Sequence, residues 1–383
     1  MNRIRCTASA AVLVALSGLT PLLPGAAHAG VVTAGRLVYV TADGELDEVT
    51  VSSDGSTGVV LRLGPITTVT APSTVEAQNA VVSGDGDWLA WSEVISKPDP
   101  TYGSLQTGGR IAVRNLTTGS TFTLSTEDYP LGFAGHTLVV IGAHTRRLVM
   151  QPSPHLVRIH DGGAYAVATY ARGIVDVSSA VGGKNDSIET DRLRLTTFAG
   201  HHTLLHRYKV GTDYRSAAAN VDAVSSDGTK LLIERGNHQD FEGLGPSSLF
   251  DTFALTGAHA RHQLGHYGSN ASDWRMAGAT FVGAHNTPWL ALHSGYGSKA
   301  SGYAVRGVVV RYANGQWVKQ GNGIAVAGNQ AGYVAIQGGT WEPVKNSPAG
   351  EYQTSPGGSA LLEGPGGQHP LSNVSATQLL WVE

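Results

Sequence analysis

The sequence predicts an all-β chain folded as a single β-propeller, and three observations carry that prediction. A strand–turn–strand outline recurs about every fifty residues along most of the chain, a period at which propeller blades repeat. Glycine and proline are frequent, at 50 and 16 of 383 residues, which opposes long helices. Only 14% of residues are charged against 41% hydrophobic, too apolar for a disordered chain and sufficient for a large core.

The repeat is clearest in two segments, Ala80–Ser92 (AVVSGDGDWLAWS) and Asp222–Glu234 (DAVSSDGTKLLIE). Each joins two short apolar strands through a Ser-x-Asp-Gly turn. Asp85 and Asp227 are placed to accept bonds from nearby backbone amides, and Gly86 and Gly228 to adopt positive φ, so these four residues read as structural turn formers. Looser copies run over Val31–Val40, Leu131–Ile141, Trp274–Val282, Ile324–Ile336 and Val374–Val382. Their turns fall near Gly35, Asp85, Gly135, Asp227, Gly278, Asn329 and Ala376, at separations of 50, 50, 92, 51, 51 and 47 residues. The gap of 92 accommodates one degenerate copy near Val181, which makes seven intervals.

A second kind of hairpin lies between these, at Ile111–Leu124, Leu193–Leu205, Phe250–Leu264 and Val308–Val318. Two hairpins per interval give four antiparallel strands, the content of one blade. The expected fold is therefore seven four-stranded blades, with eight as the alternative count. The terminal segment Leu379–Glu383 has no hairpin after it. It is expected to share a blade with the N-terminal strand, a closure that removes an exposed sheet edge.

The Ser-x-Asp-Gly-x-x-Leu turn with its following apolar strand resembles the WD40-like repeat of TolB-type propellers, written there as Ser-Pro-Asp-Gly. Here the proline is missing, with Gly at position 84 and Ser at 226. The resemblance implies the propeller fold and, as one use of it, a scaffold in an envelope assembly. It does not fix a function, because propellers host binding, hydrolase and lyase activities alike.

Residues 1–29 read as a secretory signal peptide that is removed on export. Arg3 and Arg5 precede an apolar stretch from Ala8 to Leu23, and Ala27-His28-Ala29 precedes a cut before Gly30. Ser17, Gly18, Thr20 and Pro21 interrupt the apolar stretch, so no stable membrane span is expected after processing. The absence of paired arginines points to the general secretory route. Cys6, the only cysteine, lies upstream of the apolar stretch and is not placed as a lipoprotein acceptor. The propeller domain, residues 30–383, then has no thiol and no disulfide, and relies on packing alone.

Charge and motifs narrow the chemistry. A net charge of -3 gives no general attraction to phosphate backbones, so nucleic acid is not an expected partner. No Gly-x-Ser-x-Gly elbow, phosphate loop or dinucleotide fingerprint occurs, and neither a cofactor nor a metal is expected. Two histidine groups, His201, His202 and His206, then His259, His262 and His266, follow the turns of the second hairpin type. Alternation would put His202 with His206, and His262 with His266, on one strand face, but their placement on outer strands favours surface histidines.

Strand parity locates the expected binding surface. In a four-stranded blade the first–second and third–fourth turns emerge on one face, and the second–third connections on the other. The longest connections, Val94–Gly109, Val181–Asp191, Gly236–Ser247 and Ser294–Gly302, are all of the latter kind and gather on one face. They carry Lys97, Asp99 and Tyr102; Lys184, Asp186 and Glu189; His238, Asp240 and Glu242; and Tyr296 and Lys299. Aromatics with scattered charges suit a polar polymer or a protein interface. The expected function is an exported, non-enzymatic propeller that binds an extracellular or envelope protein or polymer there. The alternative is a propeller hydrolase or lyase acting on extracellular glycan or peptide, which requires paired carboxylates from several blades.

Overall fold

The computed structural model of the protein describes residues 32–382, apart from 101–102, 127, 151–152, 160–164, 183–186, 210–217, 237–248, 270–273, 295–304 and 344–351. The expected signal peptide falls outside the described residues. Every described element is a β-strand, and no described helix is long and apolar enough to cross a membrane.

The strands form seven antiparallel blades. From the axis outward, blade 1 is Gln378–Val382, Thr33–Val40, Leu46–Ser52 and Leu61–Gly64. Blade 2 is Thr74–Val82, Trp88–Asp99, Gly103–Asn115 and Thr121–Ser125, and blade 3 is Tyr129–Ala134, Thr137–Ile141, Arg146–Val149 and His155–Arg158. Blade 4 is Tyr165–Tyr170, Gly173–Gly182, Ser187–Thr197 and His202–Lys209, and blade 5 is Ala218–Val224, Lys230–Gly236, Leu249–Ala254 and Arg261–Gly265. Blade 6 is Trp274–Val282, Thr287–Ser294, Val305–Ala313 and Gln316–Gly321. Blade 7 is Ala325–Gly328, Val334–Gln337, Leu361–Gly364 and Gly367–Pro370. The innermost strands touch in this order round the ring, and that of blade 7 meets Gln378–Val382.

The sequence builds blades because its second and third strands are apolar on both faces. Leu89-Ala-Trp91, Leu290-Ala-Leu292 and Val308-Val-Val310 are buried at every position. Alternation sends successive residues to opposite neighbours: Leu37 and Tyr39 pack towards blade 7, Val38 and Val40 towards blade 2. The buried apolar residues fall into seven clusters, each between two adjacent blades.

Closure is made by one strand, as expected, but not by a hairpin. Gln378–Val382 pairs antiparallel with Thr33–Val40, from Arg36 opposite Val382 to Val40 opposite Gln378. The Gln378 amide then clasps blade 2, accepting from the Ala80 N–H at 3.0 Å and donating to its carbonyl at 2.9 Å. Trp381 donates its indole N–H to the Ala327 carbonyl of blade 7 at 3.0 Å.

Four of the expected turns differ, and the one near Ala376 is a buried connection whose N–H donates to the Gln337 side chain at 2.9 Å rather than a hairpin turn. Gly35 sits at a bulge inside the single strand Thr33–Val40, where a Cβ would come within 3.1 Å of the Trp381 ring. Gly278 lies within the strand Trp274–Val282, beside another bulge, and the blade 6 turn is at 283–286. The degenerate copy turns at Ala171 and Arg172, ten residues before Val181, which pairs with Ile188. Glycine marks bulges as well as turns, and the two are not separable by composition.

Removing residues 378–383 exposes an unpaired edge on Thr33–Val40 and takes Leu379, Trp381 and Val382 from two clusters. The truncated chain should lose its single cooperative thermal transition, followed by near-ultraviolet circular dichroism. A melting curve like that of the intact chain would contradict this role for the strand.

Candidate functional site

The two faces of the ring are built differently. On the face of the first–second turns, neighbouring turns are tied round the ring. Asp85 of blade 2 meets the His136 imidazole of blade 3 at 2.5 Å. Asn286 of blade 6 donates to Asp227 of blade 5 at 2.9 Å and accepts from Gln330 of blade 7 at 2.8 Å. Asn329 of blade 7 donates to the Ala34 carbonyl of blade 1 at 2.9 Å.

Two turns also meet across the axis. A Cβ on Gly84 of blade 2 would stand 2.6 Å from the carbonyl oxygen of Ser226 in blade 5, and Gln330 donates to the Ser226 hydroxyl at 3.1 Å. Blades 2 and 5 are not neighbours, so this contact spans the mouth of the channel. Positions 84 and 226 are those at which the resembling repeat carries proline. A proline at 84 would place its Cβ inside the Ser226 carbonyl, which explains why the smallest residue stands there.

The turn aspartates are tightly bonded. Asp85 accepts from the Ser83 hydroxyl at 2.6 Å and the Asp87 amide at 3.1 Å. Asp227 accepts from the Ser225 hydroxyl at 2.6 Å, the Thr229 amide at 3.0 Å and the Thr229 hydroxyl at 2.8 Å. Partial burial pushes both carboxyls up, but the hydrogen bonds outweigh it, leaving Asp85 below its ordinary value and Asp227 at about 2. Asp85, Asp87 and His136 bring two carboxylates and an imidazole within 4.8 Å, a set that could hold a cation. Asp85 is already engaged by Ser83 and His136, and Asp87 accepts from the Thr117 hydroxyl at 3.0 Å.

The opposite face carries the second–third connections. Val94–Gly109 and Val181–Asp191 are continuations of the strands rather than open loops. In blade 2 the two strands stay paired out to Asp99 opposite Gly103, while the inner strand reaches only to Ser96 and the outer strand only to Arg110. In blade 4 they stay paired out to Gly182 opposite Ser187, five residues beyond Val177, the partner of Tyr165, where the described part of the inner strand begins. Both therefore project as two-stranded ribbons. Lys97 is exposed and Asp99 half-buried on the first ribbon, and Glu189 lies on a strand of the second. Tyr102, Lys184, Asp186, His238, Asp240, Glu242, Tyr296 and Lys299 lie outside the described residues.

Sequence reasoning missed a third ribbon. Gly339–Pro343 and Tyr352–Pro356 form a hairpin between the second and third strands of blade 7. It crosses to blade 6, pairing Trp341 with Val305 and Thr340 with Arg306. Trp341 stacks on His293 with ring centroids 5.1 Å apart, and Trp274 lies 5.4 Å from Tyr267 at the same end of blade 6. Leu105 (43% exposed) and Tyr129 (46%) add apolar surface to this face. The signal was available as length, since the chain between Gln337 and Leu361 is too long for a tight connection.

Five of the buried carboxylates are committed elsewhere. Asp47 is paired with Arg62 at 2.7 Å, Asp176 with Arg194 at 2.6 Å and Asp251 with Arg261 at 2.8 Å, and Asp128 pairs with Arg146. Glu93 accepts from the backbone amides of Ile66 at 2.6 Å and Thr67 at 3.1 Å and from the Trp91 indole at 3.1 Å, pinning the passage from blade 1 to blade 2. Burial pushes the Asp176 carboxyl up against the bonds from Thr196 and Arg194. The histidines are also parted. An extra residue opposite Leu193 breaks the alternation between His202 and His206. His202 meets the Thr196 hydroxyl at 2.7 Å, whereas His206 meets Arg261 of blade 5 at 3.0 Å. A similar bulge in blade 5 separates His262 from His266.

No family model matches the chain, and no curated protein matches it. Solved structures do. The chain is similar to the tricorn protease at 12% identity and a TM-score of 0.39, over 87% of this chain and 44% of that one, so it spans under half of that protein's length. It is similar to the β-propeller domain of the Trilobed protease from Pyrococcus furiosus at 9% identity and a TM-score of 0.39, covering 78% of this chain and 96% of that one. It is also similar to the periplasmic gluconolactonase of Pseudomonas aeruginosa at 13% identity and a TM-score of 0.41, covering 86% and 98%. The ring of seven four-stranded blades makes the fold a β-propeller.

Two substitutions test the closed face. Gly84→Pro, although it restores the Ser-Pro-Asp-Gly turn, should destabilise the fold by about 1–3 kcal/mol in urea denaturation, the usual cost of overpacking. Unchanged or raised stability would contradict the contact across the axis. Because the Asp227 carboxyl lies at about 2 in the folded chain against an ordinary 3.8, its stabilisation is complete above 3.8 and is lost as pH falls towards 2. Asp227→Asn should therefore flatten the acid limb of stability in that window. An acid limb as steep as that of the unaltered chain would contradict it.

Proposed function

We propose that the protein is an exported, non-enzymatic propeller, related to the TolB type, that grips a protein or an extracellular polymer through the face of projecting ribbons. The observation that carries this reading is the difference between the faces. One is tied turn to turn and crossed at the axis by Gly84 and Ser226, which leaves its axial mouth little with which to hold a protein or polymer. The other bears ribbons from blades 2, 4 and 7 that extend beyond what blade formation requires. A rigid scaffold with long elements on one face is the usual arrangement for recognition.

Binding is favoured over hydrolysis by the use made of five buried carboxylates. Asp47, Glu93, Asp128, Asp176 and Asp251 each have an arginine or backbone partner inside the fold. Export by the general secretory route, with no nucleic-acid partner and no retained membrane span, follows from residues 1–29 and the slight negative charge.

The test compares the chain beginning at Gly30 with a variant in which residues 97–105 are replaced by a two-residue Asn-Gly turn. Both are immobilised and exposed to culture fluid and envelope extract. Capture of one protein or polymer by the intact chain, reduced at least about tenfold in the variant, is expected for a site that depends on this ribbon. Equal capture by both would contradict the assignment of the face. Turnover of a glycan or peptide without retention would contradict the non-enzymatic reading.

A further inference from the structure

A cavity of about 310 Å³ lies between blades 5 and 6, on the side of the closed turns. That volume is within the range of small-molecule sites, about 300–1,000 Å³, at its lower end. Blade 5 contributes Lys230, Thr252, His262 and Gln263, and blade 6 contributes Tyr312. Leu264 and Pro288 form the apolar part of the lining, and no acidic side chain is among the lining residues. This is a basic, hydroxyl- and amide-rich groove on a chain whose net charge is negative.

Its polar groups are held in place from outside. The Lys230 ammonium donates to the His285 carbonyl across the blade boundary at 2.6 Å, which fixes its position and leaves two of its three N–H donors for a ligand. The Tyr312 ring is set edge-on against the buried Trp317, with centroids 5.2 Å apart. Asn286, the remaining wall residue, is committed to Asp227 and Gln330. Asp227 in turn is bonded by Ser225, Thr229 and Asn286 and does not pair with Lys230.

We propose that this groove binds a sugar acid, a hydroxyl-rich ligand of monosaccharide size carrying one carboxylate. The carboxylate sits against the Lys230 ammonium, where a charge-assisted bond is strongest, with the His262 ring beside it. The hydroxyls meet Thr252, Gln263 and Tyr312, and the less polar ring face lies on Leu264 and Pro288. A phosphate would satisfy the Lys230 ammonium and leave the hydroxyl and amide groups on the walls unused. The proposal is independent of the recognition face described above, because the groove is on the opposite side.

Calorimetric titration of the chain beginning at Gly30 with glucuronate, glucose and inorganic phosphate tests it. Glucuronate is expected to bind, and glucose to bind at least about tenfold more weakly for want of the carboxylate. Lys230→Met, with its circular dichroism unchanged, is expected to weaken glucuronate by a similar factor. In the unaltered chain, glucuronate should shift the amide resonances of Gln263 and Leu264, a readout that needs no variant. Equal affinity for glucose, phosphate binding without glucuronate binding, or resonances of Gln263 and Leu264 that do not move would each overturn the proposal.

Discussion

The structure depends on the apolar seams between blades. Among the described residues the buried apolar side chains gather in seven clusters rather than one central core, each shared by two neighbouring sheets. A blade with two apolar faces is satisfied only when it has a neighbour on both sides, so the seventh must return to the first. Gln378–Val382 makes that return by pairing with Thr33–Val40, and Trp381 and Gln378 extend the link to blades 7 and 2. With no disulfide to assist, closure and packing carry the stability together.

Closure also divides the molecule into unlike faces. The first–second turns lie close to the axis, where short polar side chains reach from one to the next: Asp85 to His136, Asp227 to Asn286, Asn286 to Gln330. At Gly84 and Ser226 opposite turns come so near that only the smallest residue fits. The second–third connections carry no such constraint. They can lengthen without disturbing a seam, and in blades 2 and 4 they have done so as paired strands, which keep backbone groups bonded while reaching beyond the ring.

Much of this was legible in the sequence because it is local and periodic. The Ser-x-Asp-Gly turns at Asp85 and Asp227 and the four hairpins of the second type lie where the pattern puts them, and the period leads to seven blades. What was misread concerns glycine and distance. Gly35 and Gly278 mark bulges, because Trp381 presses on one strand and the other shifts register, and neither fact is local. The ribbon at Gly339–Pro343 pairs with blade 6 rather than its own blade, a contact no repeat pattern encodes. Of the candidate site, Lys97 and Asp99 lie on the ribbon of blade 2, and the connections Gly236–Ser247 and Ser294–Gly302 fall almost wholly outside the described residues. The bonds that occupy Asp47, Asp176 and Asp251 depend on partners in other strands and had no sequence signal.

The central claim is that the ring of first–second turns is structural and the ribbon face recognises a macromolecular partner. Hydrogen–deuterium exchange of the chain beginning at Gly30, before and after incubation with culture fluid and envelope extract, tests this most directly. New protection is predicted at Ile95–Gly108, Ser178–Arg192 and Gly339–Pro356, with the turns at Ser83–Asp87 and Ser225–Thr229 unchanged. Protection concentrated in those turns, with the ribbons unaffected, would contradict it.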